Sequence, residues 1–234
     1  MLLAFLASTF LSTAEAASCS TYVNQAASQQ GAGLVRTFAK LAKCDKDMAE
    51  DNFLGAFVPR ATDLDTLVQL TETAINGGVF NSTWKMLGKI KDYSTRNEVA
   101  AAIGAKCDAN PQVTKFLQGA YFALKNNDFT QWDDAYVSCE SEDMKTWFAQ
   151  QISNTPKGSF SESYNTLLDI YIKQNGSAAL PLLQKAALNA KDDGPFDTII
   201  NQMNNAVQPG LGETMSDADR TAFEESILTI AKEV

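Results

Sequence analysis

Apolar residues recur at helical spacing along almost the whole chain. The clearest stripes comprise Leu64, Leu67, Val68, Ala74 and Ile75; Tyr164, Leu167, Leu168 and Tyr171; Phe196, Ile199, Ile200, Met203, Ala206 and Val207; and Phe223, Ile227, Ile230, Ala231 and Val234. Residues three or four apart share one face of an α-helix. No segment shows the sustained apolar and polar alternation of a β-strand. The pattern predicts an all-α protein of about thirteen helices, mostly about 10 to 16 residues long.

Residues that begin helices stand at the edges of these stripes. Thr62 is placed to cap the helix of the Leu64 stripe, since its hydroxyl can accept a free N–H group of the first turn. Pro195 stands where the first turn of a helix tolerates proline. Ser216 and Asp219 form a variant capping box ahead of the last helix.

A short motif occurs three times in the chain, as a cysteine, an acid, seven further residues and a phenylalanine. The copies run from Cys44 to Phe53, from Cys107 to Phe116 and from Cys139 to Phe148. Their offsets are 63 and 32 residues, and the first is close to twice the second. An intervening unit without its cysteine, near Asn76, would complete the series. The spacing therefore predicts a unit of about 32 residues, the size of one helical hairpin.

A repeat of this length is typical of an α-solenoid, in which each hairpin covers the apolar face of its neighbour. The acid after each cysteine is interpreted as the cap at the start of the second helix, where it also favours the helix dipole. The fold class predicted here is all-α, with stacked hairpins of about 32 residues forming a disulfide-bonded α-solenoid.

The first sixteen residues differ from the rest of the chain. An apolar run from Met1 to Leu11 precedes Ala14-Glu15-Ala16, a small-x-small pattern typical of a signal-peptidase site. We expect a signal peptide over residues 1–16 and a single helical-repeat domain over residues 17–234. The alternative is a buried N-terminal helix. No later stretch reaches the roughly 20 apolar residues of a membrane-spanning helix.

Four cysteines follow this segment, and an even number in an exported chain predicts disulfides. Among three connectivities we favour Cys19–Cys44 and Cys107–Cys139, because both close short loops between neighbouring helices. Equivalent positions in adjacent hairpins lie roughly 8–10 Å apart. A disulfide needs Cα atoms within about 7 Å, so the second pair requires local tightening of the stack.

Cys19 also allows another interpretation. The segment Ala16-Ala17-Ser18-Cys19 resembles a bacterial lipobox, with Ala16 in place of the usual leucine. Lipidation at Cys19 would anchor the protein but leave an odd number of thiols. The even count favours disulfides and a protein secreted to the periplasm or the extracellular space.

The chain has no histidine. This excludes Ser-His-Asp and Cys-His catalysis and histidine-ligated zinc or haem. Cysteines held in disulfides supply no thiolate chemistry. Paired carboxylates remain possible, and no calcium-binding loop of the EF-hand type is present. We therefore predict no cofactor and no metal, and we favour a non-enzymatic protein over an enzyme that uses paired carboxylates.

The charge balance bears on the class of partner. The net charge is −9, and removal of residues 1–16 would take away Glu15 and leave −8. No cluster of lysine and arginine is present, and an acidic surface repels phosphate backbones. We expect no nucleic-acid partner and favour a protein with a basic face.

One segment resembles a known repeat family. Trp84-x-x-Leu87-Gly88, with Ala100 further on, resembles part of a tetratricopeptide unit, with Lys91 where that pattern has tyrosine. No other unit repeats the tryptophan or the Leu-Gly pair. At the level of pattern, nearly the whole mature chain resembles the HEAT-like and tetratricopeptide-like proteins. The resemblance implies a right-handed stack with a concave face, and often a protein or peptide ligand.

The candidate binding residues are the three tryptophans, Trp84, Trp132 and Trp147. Exposed rings could stack on sugars or line a peptide groove, and buried rings would fill the core. The phenylalanines of the repeat motif are assigned to the core. Paired acids occur at Asp133-Asp134, Glu140/Glu142/Asp143, Asp192-Asp193 and Glu224-Glu225, mostly at predicted helix starts. Asn81 and Asn175 begin glycosylation sequons, which matter only in a eukaryotic source.

These observations favour an exported binding or scaffold protein that recognises a protein or peptide along one face of the stack. A second hypothesis is a protein that binds or hydrolyses glycans, which requires exposed tryptophans flanking two acids in one cleft. A third is a structural module of a surface assembly, which requires a broad apolar patch on a terminal unit.

Overall fold

The computed structural model describes residues 19–124, 129–154, 162–190, 194–208 and 215–233. Every regular element in these ranges is a helix and none is a β-strand, which confirms the all-α prediction. The predicted signal peptide lies outside the described residues. No helix in the described part of the chain is both long enough and apolar enough to cross a membrane.

Thirteen α-helices occupy the described ranges. They are α1 (19–26), α2 (Gly31–Cys44), α3 (Lys46–Asn52), α4 (Leu64–Asn76), α5 (Phe80–Trp84), α6 (Tyr93–Gly104), α7 (Pro111–Ala123), α8 (Asp133–Val137), α9 (Glu142–Ser153), α10 (Glu162–Asn175), α11 (Leu180–Asn189), α12 (Gly194–Val207) and α13 (Asp217–Glu233). Short 3₁₀ helices at Val58–Arg60, Leu87–Lys89, Thr130–Trp132 and Gly176–Ala179 and a π-helix at Phe53–Phe57 lie between them.

Side-chain caps fix the helix starts and correct one prediction. Helix α4 is capped by Asp63 and not by Thr62, and the Asp63 carboxylate accepts a 2.8 Å hydrogen bond from the Thr66 amide. Thr62 lies one residue too early to reach the free N–H groups. The capping box ahead of α13 is confirmed, since the Ser216 hydroxyl accepts a hydrogen bond of 3.1 Å from the Asp219 amide.

Only one of the three acids that follow a cysteine caps a helix. Asp45 accepts a 2.9 Å hydrogen bond from the amide of the third residue of α3. Asn110 caps α7 and Ser141 caps α9, in place of Asp108 and Glu140. Cys107 and Cys139 lie beyond the ends of α6 and α8, so the acids after them come before the next helix start.

The helices pack mainly on the second neighbour along the chain. In one series α2 contacts α4, α4 contacts α6, α6 contacts α8, α8 contacts α10 and α10 contacts α12. In the other, α3 contacts α5, α7 contacts α9, α9 contacts α11 and α11 contacts α13. The apolar core runs between the two series. The phenylalanines predicted to lie in it, Phe53, Phe116 and Phe148, are fully buried.

Both predicted disulfides are confirmed. The Cα atoms are 5.8 Å apart in Cys19–Cys44 and 5.5 Å apart in Cys107–Cys139, within the range of a disulfide. No cysteine in the described residues is free. Because the Cys19 sulfur is bonded to Cys44, it is not available for the thioether of a lipoprotein, and this opposes the lipobox interpretation.

A glycine explains how the chain tightens at the second disulfide. Gly104 ends α6, where it faces the backbone of Ala135 in α8. A Cβ added to Gly104 would lie 2.7 Å from the Ala135 Cα, a distance that real Cβ atoms essentially never show. The absent side chain thus lets α6 and α8 approach closely, and this approach brings Cys107 within reach of Cys139.

Candidate functional site

Two of the three tryptophans hold helices together. Trp132 is fully buried, and its indole Nε1 donates a hydrogen bond of 2.9 Å to the Trp84 carbonyl. The Trp84 indole in turn donates one of 3.1 Å to the Phe116 carbonyl. The Phe116 and Trp132 rings are 4.9 Å apart between centroids. These contacts join α5, α7 and the segment before α8, so both indoles serve packing.

The third tryptophan lies close to the surface. Trp147 in α9 is 8% exposed and borders a groove of about 350 Å³ between α7 and α9. Its ring contacts Tyr121 edge-on at 5.4 Å. Phe122, the neighbour of Tyr121, is 69% exposed and is the most exposed aromatic ring of this cluster. The aromatic residues of α7 and α9 therefore show little surface apart from Phe122.

A larger cleft, of about 400 Å³, opens between α8, α10, α12 and the start of α13. We call it the acidic cleft. Its charged lining residues are Asp133, Asp169, Lys173 and Asp219; its other polar ones include Asn165, Thr166, Gln202 and Asn205; and its apolar ones are Ile172, Ala206 and Met215. Three carboxyl groups against one ammonium give the lining a negative balance. None of the three tryptophans lines it.

Helix register brings these residues together. Asn165, Asp169 and Lys173 are four residues apart on α10, so they lie on one face. On α12, Gln202 and Asn205 are three apart and share a face in the same way. The polar faces of α10 and α12 meet at a hydrogen bond of 2.6 Å from the Gln202 side-chain amide to the Asn165 oxygen.

Most charged groups of the acidic cleft have partners. The Lys173 ammonium lies 2.6 Å from the Asp169 carboxylate. The Asp219 carboxylate accepts a hydrogen bond of 3.0 Å from the Ser177 amide and one of 2.7 Å from the Ser216 hydroxyl. Hydrogen bonds from Ser177 and Ser216 lower the pKa of the Asp219 carboxyl. Through these hydrogen bonds, the Asp219 carboxylate joins the start of α13 to the turn that follows α10.

Asp133 is the exception. Its Oδ1 atom is buried and has no hydrogen-bond partner. Burial raises the pKa of the Asp133 carboxyl to about 7, against the opposing effect of the Lys173 ammonium. The negative charges of Asp169 and Asp134 add to the rise. At neutral pH the group therefore exchanges readily between its acid and carboxylate forms.

The other paired acids that the structure describes are not among the residues that line the cleft. Glu142 and Asp143 lie in the first turn of α9, as predicted for acids at helix starts. Glu224 and Glu225 are exposed in the middle of α13, contrary to a start position. The pair at 192–193 lies outside the described residues. The glycan hypothesis requires tryptophans that flank two acids in one cleft; the groove beside Trp147 is lined by one acid, Asp143, and the acidic cleft by no tryptophan.

The two sequons differ in exposure. Asn81 is exposed in α5, whereas Asn175 is half-buried at the end of α10, and its side-chain amide donates to the Tyr171 carbonyl at 2.8 Å. Among the described residues no group of three or more acids and cysteines is placed to hold a metal ion. The chain matches no protein-family model, no curated protein and no solved structure.

The acidic cleft was not predicted from the sequence. Its residues come mainly from four helices, α8, α10, α12 and α13, that are separate along the chain, and each helix taken alone shows an ordinary polar face. The stripe of polar residues four apart on α10 was the one local signal. The sequence did single out Asp133, but only as one member of an acidic pair at a helix start.

Proposed function

We propose that this chain is an exported binding protein, built as a stack of helical hairpins of about 32 residues, that recognises a protein or peptide along one face. The HEAT-like or tetratricopeptide-like character of the stack is part of the proposal. So is the single repeat domain from residue 17 onward.

The contacts between hairpins support a stack of this period. In the first half, the Glu50 carboxylate accepts from the Ser82 amide 32 residues later, and the Trp84 indole donates to the Phe116 carbonyl, again 32 residues later. In the second half the separation grows to 37 between Asn165 and Gln202 and to 42 between Gln184 and Ser226. Contacts one repeat length apart are expected where each hairpin packs on the next, and the first half follows this rule.

Export is supported by the disulfides. Both pairs are formed, and such bonds persist in oxidising compartments outside the cytoplasm. The apolar N-terminal run and its small-x-small site point the same way.

The observation that carries the binding function is the acidic cleft. It lies across α8, α10 and α12, which are consecutive members of one helix series. A cleft of about 400 Å³ with an unpaired buried carboxyl oxygen is a feature that packing alone does not require. Its negative balance suits a partner with a basic surface.

A cross-linking capture from the native extracytoplasmic fraction tests the proposal. The tagged chain, with residues 1–16 removed and its disulfides intact, should retain a defined protein partner. The same chain reduced and alkylated, which removes both disulfides, should lose that partner. Recovery of glycan or cell-wall fragments without any protein would contradict the proposal and support the carbohydrate hypothesis instead.

A further inference from the structure

The acidic cleft contains one acceptor that the protein itself does not satisfy. Asp169 is paired with Lys173, and Asp219 accepts hydrogen bonds from Ser177 and Ser216. Asp133 has no donor on its buried Oδ1 atom. The Asp133 carboxyl makes no hydrogen bond or ion pair with another described residue, so among the carboxyl groups of the cleft lining it is the one left for a ligand.

The dimensions of the cleft limit the size of what enters it. A volume of about 400 Å³ is near the lower end of the range of roughly 300–1,000 Å³ found for small-molecule pockets. It therefore suits one side chain rather than a helix or a strand. The lining carries three carboxyl groups and one ammonium, and this negative balance favours a cation as the charged ligand.

The lining matches one side chain in particular. A guanidinium group carries five N–H donors and no acceptor, so it needs several acceptors around it. Beside Asp133, the amide side chains of Gln202 and Asn205 line the cleft, each with an acceptor oxygen. Ile172, Ala206 and Met215 supply apolar surface for a methylene stem.

We infer that the acidic cleft receives the side chain of an arginine from the partner, with Asp133 as the ion-pair acceptor for its guanidinium group. The inference rests on the proposed binding function and names the chemistry of that same site. Asp133 is here a binding residue whose charged form is costly in the free protein and becomes favourable when the cation enters.

A titration of the isotopically labelled chain with Nα-acetyl-arginine amide, followed by NMR, tests this without the natural partner. We expect saturable shifts confined to α8, α10, α12 and the start of α13. Nα-acetyl-citrulline amide has nearly the same shape without the charge and should bind at least about tenfold more weakly. Equal binding of the two probes, or no saturable binding of the arginine probe, would overturn the inference.

A matched pair of variants tests which carboxylate binds the arginine probe. Asp133→Asn should weaken arginine-probe binding about tenfold or more. Asp134→Asn removes the same charge from the same turn of α8, outside the cleft lining, and should change the dissociation constant by less than about twofold. An unchanged dissociation constant in a folded Asp133→Asn protein would overturn the assignment. If that variant does not fold, the comparison of the arginine and citrulline probes on the wild-type chain still tests the inference.

The outcomes separate this inference from the proposed function. If a partner is captured equally by the wild type and by Asp133→Asn, and the arginine probe does not bind, the binding function stands and the cleft assignment fails. If the arginine probe binds through Asp133 but no protein partner is ever captured, the cleft assignment stands and the partner function fails.

Discussion

Asp133 shows how one side chain can oppose the stability of the fold that holds it. Its carboxyl is partly buried near Asp134 and Asp169, and the Lys173 ammonium only partly offsets that environment. Residues that cost stability in a free protein are common where a ligand later provides the missing interaction. At this scale the structure points to a site and not to a packing role.

The raised pKa of Asp133 predicts the direction in which the stability of the fold changes with pH. Its pKa rises from 3.8 when the chain is unfolded to about 7 in the folded protein, so the folded state holds a proton that the unfolded state has lost. The free energy of unfolding should therefore fall as the pH rises from about 4 to 7 and level off above. Asp133→Asn lacks the titrating group and should not show this loss. As the pH rises through that window, the free energy of unfolding of the variant should come to exceed that of the wild type by on the order of 2–4 kcal/mol.

Urea denaturation of both proteins at several pH values measures the difference directly. Asp134→Asn is the control and should keep most of the wild-type pH dependence. The prediction is wrong if the difference in unfolding free energy between the wild type and Asp133→Asn stays constant from pH 4 to pH 8.

At the scale of elements, the sequence predicted helices better than it predicted their junctions. Apolar stripes located α4, α10, α12 and α13, because a helix that packs on a core must repeat its apolar positions. The junctions depend on single residues. Asp63 capped α4 in place of Thr62, one residue away. A change of one residue at a helix start does not alter the stripe, so periodicity could not distinguish the two.

The disulfide pairing was predictable for a simple reason, whereas its geometry was not. Loop length favoured neighbouring cysteines, and both pairs follow that rule. The close approach of α6 and α8 depends on Gly104, and no local pattern distinguishes this glycine from the others in the chain. The acidic cleft escaped prediction in the same way, since it exists only where α8, α10 and α12 meet.

Gly104 supplies a test of this junction. Gly104→Ala should destabilise the protein by about 2–4 kcal/mol, because the new methyl group overlaps the Ala135 backbone and must push α6 and α8 apart. Gly55→Ala is the matched control, since a Cβ there meets nothing within 4 Å. Thermal unfolding measures both. Equal midpoints for the two variants would show that the close approach is unimportant.

For the whole molecule, the disulfides act mainly on the unfolded chain. They join residues 25 and 32 apart, and the chain-entropy model assigns each about 3–4 kcal/mol. The two bonds tie only the region from α1 to the end of α8, so the helices from α9 onward depend on packing alone among the described residues.

Removing each bond tests this account. Replacing Cys107 and Cys139 with alanine should lower the free energy of unfolding by about 3–4 kcal/mol, and the same change at Cys19 and Cys44 by a similar amount. Guanidinium denaturation of the three proteins gives the values. A loss below about 1 kcal/mol for either pair would mean that the folded state is strained by that bond or that the unfolded chain is already compact.

The most direct test of the proposed function is hydrogen–deuterium exchange on the chain alone and with its captured protein partner. We expect added protection in α8, α10, α12 and the start of α13, where the acidic cleft lies. Regions remote from the cleft, such as α2 and α3, should exchange at the same rate in both samples. Protection confined to those remote helices, or the absence of any partner that changes exchange in the cleft, would contradict it.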